Sequence, residues 1–351
     1  MLTIIRYLLF PFSLIYGFVI WMRNKLFDKK ILRSANFNFP LICVGNLAIG
    51  GTGKTPMVEY LIRLLGNKFE TATLSRGYKR NTKGFLIADA NSTAATIGDE
   101  PMQMHKNFPG ITVAVAEERV LGIPQLLFER PATQVIILDD AFQHREVNAE
   151  MNVLLTEYGH LYTEDFMLPT GSLRDVKSSS KRAHVIIVTK CKASLNEEDK
   201  KEIIKKLHPL PSQKVFFTTI IYGTAYQIFT NEEKILDKRH KILLVCGIAN
   251  PKSIEKMLSK IPVSYEVMLF KDHYNFGPND ITEIKKRFSN IESHDKIILT
   301  TEKDAARLFK YVNDLKGLPV YAIPMQHKFL FGDEIKFNAE IISFVENYKA
   351  D

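Results

Sequence analysis

The stretch that decides the fold is Leu41–Thr55, LICVGNLAIGGTGKT, in which an apolar run leads into a glycine-rich segment. Residues 41–44 have the continuous apolar pattern of a strand buried in a parallel sheet. After the glycines, apolar residues recur at helical spacing from Met57 to Leu65. A strand, a glycine loop, Lys54-Thr55 and a helix, in this order, predict a phosphate-binding P-loop.

Each residue type in this loop has an expected part in holding a nucleotide. Lys54 would reach the terminal phosphates, the Thr55 hydroxyl would hold Mg²⁺, and the helix start would add partial positive charge. Ala48 stands where the usual pattern has its first glycine. A glycine-rich turn that binds nothing is the alternative, and the flanking strand and helix count against it. The predicted nucleotide-binding residues are Ala48, Ile49, Gly50, Gly51, Thr52, Gly53, Lys54 and Thr55.

The composition is that of a folded globular protein with room for two domains. Of 351 residues, 46% are hydrophobic and 25% are charged. The three cysteines lie far apart beside apolar runs, which predicts reduced, buried thiols and neither a disulfide framework nor a zinc site. The net charge is +8, but no recognition motif for nucleic acid is present, so we expect no nucleic-acid partner.

The N-terminal segment is both apolar and basic. Tyr7–Met22 carries no charge over sixteen residues, which is short of the roughly 20 that a spanning helix needs, and Pro11 and Gly17 interrupt it. Residues 1–40 hold six basic side chains against one acidic side chain, which suits an anionic membrane surface. This pattern favours a helix lying at the membrane interface over a buried core helix. A signal peptide is disfavoured because no small-residue cleavage site follows.

Two pairs of carboxylates are candidate catalytic or metal-binding groups. An apolar strand, residues 135–138, ends in Asp139-Asp140, the Walker B pattern in which a carboxylate orders Mg²⁺. Asp99-Glu100 precedes a proline at a predicted helix start. The spacing leaves two roles open for this second pair, an N-terminal cap or a general base beside bound nucleotide.

Several polar residues near these strand ends have no single interpretation from spacing. Arg76 lies in a basic turn after a strand, and Gln143 and His144 follow the two aspartates. Each could contact a phosphate or be a solvated loop residue. Lys192 stands where a GTPase needs an aspartate to recognise guanine, so adenine is the expected base.

Strands and helices alternate throughout, which predicts an α/β, mostly parallel architecture of the P-loop type with flanking helices. A second, smaller α/β unit is expected to follow a β-ribbon linker. The predicted segments are an N-terminal membrane-associated helix (1–35), a P-loop kinase domain (36–214), the ribbon (215–240) and a C-terminal domain (241–351).

Taken together, these stretches resemble one family, the tetraacyldisaccharide 4′-kinases of lipid A biosynthesis. The resemblance covers essentially the whole chain, and the motifs are specific as an ordered set. They are VGNLAIGGTGKTP (44–56), SRGYKR (75–80), GDEP (98–101), DDAFQH (139–144), LPTGSLRD (168–175), KDHYNF (271–276) and TEKDAAR (301–307). Ala48 fits the family, whereas Ala141, Ser172, Asp175 and Val176 depart from its more usual residues.

The resemblance implies transfer of the γ-phosphoryl group of ATP, with Mg²⁺, to the 4′-hydroxyl of a tetraacyldisaccharide 1-phosphate, forming lipid IVA. It implies a peripheral or monotopic position at the cytoplasmic face of a Gram-negative inner membrane, with the lipid as partner and no obligate protein partner. It assigns Asp99 as the base, His273 as the residue that tunes it, and Asp139 and Asp140 as metal ligands. The implied substrate or phosphate contacts are Arg76, Glu100, Gln143, His144, Arg174 and Asp175.

Two other classes of protein were weighed against a kinase. P-loop ATPase switches and metallochaperones share GGTGKT, but the dimeric branch has a lysine where this chain has Ile49. A membrane-associated interaction protein with a relic P-loop would not explain Asp99, Asp139 and His273 together.

Overall fold

A computed structural model describes residues 8–248, 251–272 and 274–349. Within these ranges fifteen strands form two sheets, and helices cover both. The strands are β1 (Leu41–Asn46), β2 (Thr71–Ser75), β3 (Leu86–Ile87), β4 (Thr112–Val115), β5 (Val135–Asp139), β6 (Met151–Glu157), β7 (Val185–Thr189), β8 (Lys214–Tyr222), β9 (Ala225–Gln227), β10 (Glu233–Lys234), β11 (Lys241–Cys246), β12 (Ser264–Leu269), β13 (Lys296–Thr301), β14 (Val320–Ile323) and β15 (Met325–Phe329).

The helices alternate with these strands for most of the chain. They are α1 (Phe10–Asp28), α2 (Lys54–Leu65), α3 (Ala94–Ile97), α4 (Asp99–Asn107), α5 (Arg119–Glu129), α6 (Glu197–Leu207), α7 (Lys252–Leu258), α8 (Pro278–Asn290), α9 (Glu302–Leu308), α10 (Val312–Leu315) and α11 (Glu334–Glu346). Two 3₁₀ turns, Lys177–Arg182 and Phe309–Tyr311, complete the set.

The first sheet has nine strands in the order β15-β8-β7-β6-β1-β5-β2-β4-β3. Its seven inner strands pair in parallel, and only the edge strands β15 and β3 are antiparallel to their neighbours. The register pairs Val44 of β1 with Asp139 of β5, so the start of the glycine loop lies beside the acidic strand end. The carboxyl ends of parallel strands therefore gather the predicted site at one edge of this sheet.

Burial on both faces explains why the central strands are continuously apolar. Every residue of β1, β5 and β7 is buried. One face packs against α5 and α6 through Ile123, Leu126, Ile203 and Leu207. The other face packs against α2 and α11. The mostly parallel α/β P-loop fold predicted from the alternating pattern is confirmed.

The second sheet has six strands in the order β10-β9-β14-β13-β11-β12. Its centre is parallel, and β9 and β10 form an antiparallel edge. Helix α8 covers one face and α7 the other, with Ile281, Ile284 and Phe288 against one side and Ile254 and Leu258 against the other. This unit is a smaller α/β layer structure, as the pattern predicted.

The strands are distributed between the sheets differently from the predicted segments. The ribbon expected over 215–240 is divided, because β8 pairs in parallel with β7 in the first sheet whereas β9 and β10 lie in the second. The expected C-terminal domain is divided too, since β15 pairs with β8 and α11 packs on the first sheet. The chain thus crosses between the sheets twice, near Gly223 and Pro324, whose N–H and carbonyl are hydrogen-bonded at 3.0 Å. Periodicity reveals that a strand exists, but its partner depends on packing.

Helix α1 buries two polar side chains and Phe27 against the protein and exposes most of its apolar side chains. Ser13 and Asn24 are buried, and they bond to Thr170 at 2.7 Å and to Asp175 at 2.8 Å. The exposed apolar residues of the helix are Phe10, Phe12, Leu14, Ile15, Phe18, Val19, Trp21 and Met22. Across the described ranges of the chain, no helix combines the length and the apolar character that crossing a bilayer requires.

Candidate active site

The glycine loop opens directly into α2 with the backbone geometry that the sequence predicted. Gly53 is the N-cap of α2 and adopts a left-handed conformation, with φ of 89°, so a side chain there would be strained. Nothing lies within 4 Å of the position that a Cβ would take at Gly50 or Gly51, so this side of the loop is open. Asn46, the last residue of β1, donates a 2.9 Å hydrogen bond to the Thr52 hydroxyl. The loop therefore presents an open face at a helix N-terminus, which is the form of an anion site.

The two aspartates at the end of β5 differ in environment. Burial, with the neighbouring charge of Asp140, raises the pKa of Asp139 to about 7. Burial also opposes ionisation of Asp140, but Lys54 and Arg174 outweigh it and lower the pKa of Asp140 below its usual range. Lys54 Nζ lies 3.7 Å from Asp140 Oδ1, and the Arg174 guanidinium contacts both Asp140 oxygens. Asp140 is thus held as a carboxylate at the mouth of the loop.

The residues present fit a divalent cation at this strand end. Asp139 Oδ1 is buried and has no hydrogen-bond partner among the described residues. A buried carboxylate oxygen without a partner is costly, and a bound cation would satisfy it. The Thr55 hydroxyl and the carboxylates of Asp139 and Asp140 are the oxygen donors that Mg²⁺ prefers.

Arg174 joins the loop to the acidic strand end from the 165–177 segment. Its guanidinium also donates to Asn46 Oδ1 at 2.6 Å, and its backbone N–H donates to the Leu47 carbonyl at 2.8 Å. Gln143 donates to the Asn46 carbonyl at 2.5 Å, while its Oε1 is buried and unpartnered among the described residues. Arg174 and Gln143 therefore lie at the loop mouth, and their role as substrate or phosphate contacts stays a prediction.

Asp99 and Glu100 are the first two residues of α4 and are paired with cations from the second sheet. Arg307 of α9 donates to Asp99 Oδ2 through Nε at 3.0 Å and Nη2 at 2.7 Å. Lys303 lies 2.9 Å from Glu100. The charge of Glu100 contributes to the raised pKa of Asp139. His273, the expected partner of Asp99, lies outside the described residues.

Three side chains, Arg76, Arg119 and His144, interact electrostatically near the acidic strand end. Arg119, at the start of α5, is buried, and burial lowers its pKa to about 10. Burial together with the Arg119 charge lowers the pKa of His144 to about 4, so this imidazole is neutral at pH 7 and can both donate and accept. Arg76 is exposed, and its charge acts on both groups. The charge of Arg76 therefore contributes to keeping His144 neutral.

Asp175 occupies a different place from the substrate contact that the sequence suggested. Its carboxylate is buried and accepts hydrogen bonds from Asn24 and Ser179, each at 2.8 Å, and from Arg182 at 3.2 Å. These partners anchor α1 and the 3₁₀ turn to the 165–177 segment. Because its oxygens are already engaged, Asp175 supports the helix, while the preceding residue, Arg174, faces the site.

Comparison with known proteins identifies the family. The sequence model of the tetraacyldisaccharide-1-P 4′-kinases matches residues 5–346. The chain belongs to this family of kinases. A tetraacyldisaccharide 4′-kinase of Flavobacterium johnsoniae is 44% identical over 350 residues, covering 98% of each chain. One of Bacteroides thetaiotaomicron is 43% identical over 352 residues, covering 96% of this chain and 92% of the relative.

A solved structure of the family has the same fold. The chain is similar to LpxK from Aquifex aeolicus, whose crystal structure is described as a complex with ATP. The TM-score is 0.77 at 29% identity, with 97% of this chain and 99% of that chain covered. The family resemblance that the motifs carried is thereby confirmed, as is the prediction of an enzyme of the kinase class.

Sequence reasoning missed four residues that the structure adds to the candidate site. They are Asn46, Arg119, Lys303 and Arg307. Asn46 is the last residue of β1 and Arg119 comes four residues after the end of β4, a signal that position alone could have supplied. Lys303 and Arg307 lie inside a quoted motif, but their carboxylate partners are about 200 positions away, so no local pattern pairs them.

Proposed function

We propose that the protein transfers the γ-phosphoryl group of ATP to the 4′-hydroxyl of a tetraacyldisaccharide 1-phosphate. One arrangement carries this proposal. The P-loop, Asp140 and Arg174 meet at an open mouth, and the segment that supplies Arg174 also anchors α1, whose apolar side chains face outward. The 165–177 segment thus connects the candidate phosphate site to the exposed apolar face of α1. This combination suits a kinase whose acceptor is held at a membrane.

ATP is expected to lie with its phosphates in the glycine loop. The open side at Gly50 and Gly51 leaves room for phosphate oxygens, and Lys54 would reach the terminal phosphates. Asp139, Asp140 and Thr55 would hold Mg²⁺, which when bound neutralises charge on the transferring phosphoryl group. Lys54 and Arg174 supply further positive charge beside the same position.

Asp99 is proposed as the acceptor of the hydroxyl proton. The sugar oxygen forms a bond to the γ-phosphorus, the bond to the β-phosphate oxygen breaks, ADP leaves and the proton passes to Asp99. In a loose transition state the proton leaves late, so a weak but well-placed base suffices. Arg307 holds the Asp99 carboxylate by two hydrogen bonds from the second sheet. His273 is proposed to tune this base.

The remaining polar groups are proposed to hold the acceptor. Exposed, cationic Arg76 and half-buried His144 are proposed to contact an anionic sugar phosphate, and Gln143 and Glu100 are proposed as further contacts. Neutral His144 can donate to a phosphate or hydroxyl oxygen without carrying charge.

The outward apolar face of α1 is proposed to lie in the interface of an anionic membrane. A soluble helix normally buries its apolar stripe, whereas here Ser13 and Asn24 are buried and Phe12 and Phe18 are 60% and 55% exposed. A mainly apolar cavity of about 270 Å³ lies between α1 and the 165–177 segment. It is proposed to receive part of an acyl chain. We therefore propose that the protein lies at the cytoplasmic face of the inner membrane.

The central experiment measures ATP turnover with and without the lipid disaccharide in mixed micelles. The kinase proposal expects ADP release to depend on the disaccharide and one phosphate to appear on the lipid for each ADP formed. A P-loop ATPase switch would hydrolyse ATP at the same rate without the lipid. Equal rates in the two conditions would contradict the proposal.

The base is tested with Asp99→Ala, His273→Ala and the double variant. Residues that act as one unit are non-additive, so the double variant should be little slower than the slower single variant. Nucleotide binding should change less than kcat. Fully additive losses would show that the two residues act independently, and an unchanged rate in Asp99→Ala would exclude it as the base.

The membrane proposal is tested with Phe12→Ser and Phe18→Ser combined. Recovery on anionic vesicles should fall, because each buried methylene contributes about 0.8 kcal/mol. The KM for a long-chain disaccharide should rise more than the KM for a short-chain one. Phe128→Ser on α5 is the matched control, since Phe128 is 86% exposed on another helix. Equal vesicle recovery in both variants would show that α1 has no special role.

A further inference from the structure

We propose that His327 on β15 is a positioning residue for the phosphate loop, which it holds from behind so that the loop's N–H groups face the nucleotide. His327 belongs to the strand that returns from the second sheet to the edge of the first. Its imidazole Nε2 lies 2.9 Å from the Gly53 carbonyl oxygen, and its Nδ1 lies 2.9 Å from the Thr218 hydroxyl. The side chain is buried.

The partners of the ring assign its protonation. A carbonyl oxygen can only accept, so Nε2 must carry the proton that is donated to Gly53. Burial lowers the pKa of His327 to about 4, which leaves the ring neutral at pH 7. Nδ1 is then the acceptor, and the Thr218 hydroxyl donates to it. Thr218 on β8 therefore selects the tautomer that can hold the loop.

A second side chain holds the preceding carbonyl in the same way. Thr189, at the end of β7, donates from its hydroxyl to the Thr52 carbonyl at 2.8 Å. Both Thr189 and Thr52 are buried. Two consecutive carbonyls, those of Thr52 and Gly53, are thus tied to the side of the loop that faces strands β7 and β15.

Peptide planarity turns these two contacts into an orientation of the donors. In a trans peptide the C=O and the following N–H point in opposite directions. Holding the Thr52 and Gly53 carbonyls toward the strands directs the N–H groups of Gly53 and Lys54 away from them. The Gly53 carbonyl is also the first acceptor of α2, bonded by the Met57 N–H at 3.2 Å, so His327 fixes the helix start as well. Preorganised donors of this kind need no rearrangement when the phosphates bind.

This inference rests on the proposed role of the loop as the ATP phosphate site. The contact links residues 274 positions apart, and the Cβ that a side chain at Gly53 would carry would lie 3.1 Å from the His327 ring. The close fit requires glycine at position 53 both for its left-handed backbone and for the approach of this ring.

The test compares His327→Met and His327→Gln for binding of a non-hydrolysable ATP analogue and for steady-state kinetics. Methionine fills similar space without a donor, whereas the glutamine amide places a donor at about the reach of Nε2. We expect His327→Met to raise the Kd of the analogue by about tenfold, which corresponds to about 1.4 kcal/mol. His327→Gln should stay within about threefold of the unmodified protein, since one neutral hydrogen bond is retained.

Phe329→Leu is the matched control for a purely structural effect. Phe329 lies two residues further along β15, and its ring packs against those of Phe216, Phe337 and Tyr60. The Phe329→Leu variant should lower the Tm at least as much as His327→Met while leaving the Kd of the analogue unchanged.

Thr218→Val is a second test of the positioning role, because it removes the donor to Nδ1 and keeps the imidazole. It should raise the Kd by about threefold.

The outcomes separate this inference from the proposed function. If Lys54→Ala weakens binding but folded His327→Met and Thr218→Val do not, only the positioning role is wrong. If Lys54→Ala binds the analogue normally, the loop is not the phosphate site and the proposed function fails first. If His327→Met does not fold, unchanged affinity in Thr218→Val contradicts the positioning role. A glutamine variant as weak as the methionine variant would also contradict it.

Discussion

The two sheets of this protein have the same parallel α/β architecture but contribute to the candidate site by different means. The first sheet places a glycine loop between β1 and α2 and two aspartates at the end of β5. At the corresponding turn after β11 the second sheet has one glycine, Gly247, whose N–H and carbonyl are held by Asp304 and Arg307 of its own helix α9. It contributes cations to the site instead, through the contacts of α9 with α4.

This difference shows that one site can combine residues that are close in the chain with residues that only tertiary packing brings together. The first sheet supplies groups that are close in the chain and lie on a contiguous strand, loop and helix. The second supplies Arg307 and Lys303, which belong to the site because they form ion pairs with Asp99 and Glu100. We therefore expect substitutions in the first sheet to abolish phosphate chemistry, and those in the second to weaken its alignment.

The largest effect is expected for Lys54→Ala in the loop of the first sheet. It removes a cation beside the transferring phosphoryl group, so kcat/KM should fall by about a thousandfold while the thermal unfolding transition stays in place. Steady-state kinetics with both substrates is the measurement. Lys68→Ala, at an exposed position just beyond α2, is the control and should be neutral. Near-normal turnover of folded Lys54→Ala protein would remove the P-loop assignment.

The next effect is expected for Asp139→Asn at the strand end of the same sheet. Turnover should fall on the order of 100-fold and need more Mg²⁺, because an anionic metal ligand is lost. The Tm of the nucleotide-free protein should rise by about 2 °C, since a buried carboxylate oxygen without a partner becomes neutral.

Rate, Mg²⁺ dependence and Tm are all measured on the same Asp139→Asn preparation. Asp295→Asn, at an exposed position just before β13, should change none of them. Loss of both stability and activity in Asp139→Asn would instead indicate a structural carboxylate.

A smaller effect is expected for Arg307→Met in the second sheet. Asp99 would lose its two hydrogen bonds, and misplacement of a catalytic group should lower kcat by about tenfold with little change in the KM for ATP. Arg307→Lys should recover only part of the rate, because lysine keeps the charge but not the bidentate geometry.

The control for Arg307 is Arg287→Met on α8, where the arginine is exposed and pairs with Glu283. The loss should disappear when Asp99→Ala is already present, since the two residues act through one contact. If Arg307→Met still lowers kcat by the same factor in the Asp99→Ala variant, Arg307 does not act through Asp99.

The smallest effect concerns stability where the two sheets meet. Glu302 of α9 and Glu59 of α2 are both bonded by the Asn107 amide, at 2.7 and 3.3 Å. Burial, with the charge of Glu59, raises the pKa of Glu302 to about 8, against the opposing effects of the Tyr226 hydrogen bond and the Arg63 charge. The folded state therefore holds this proton at a pH where the unfolded chain, with a glutamate pKa of about 4.3, has released it.

The sign of the pH dependence follows from that shift. The stabilisation is complete below the unfolded pKa and is lost as the pH rises through about 8. The Tm should fall from pH 5 to pH 8.5, and Glu302→Gln should flatten this slope. Glu266→Gln on exposed β12 is the control. An unchanged slope in Glu302→Gln would show that this carboxyl does not govern the pH response of the junction.

Much of the fold and part of the site could be read from the sequence because their signals are local. The P-loop residues and Asp139-Asp140 lie on contiguous strand, loop and helix patterns, and the structure places both where the patterns predict. The sheet membership of β8 and β15 could not be read, because either strand could pair in either sheet on periodicity alone.

By itself, the sequence determined the parallel α/β class, the phosphate loop and the acidic strand end, since backbone geometry and burial impose short repeating patterns. Only the tertiary structure decided which distant groups meet. Arg307 reaches Asp99 across 208 positions and His327 reaches Gly53 across 274. Such contacts depend on how whole sheets and helices pack. The sequence around a residue does not identify the distant residue that packing places beside it.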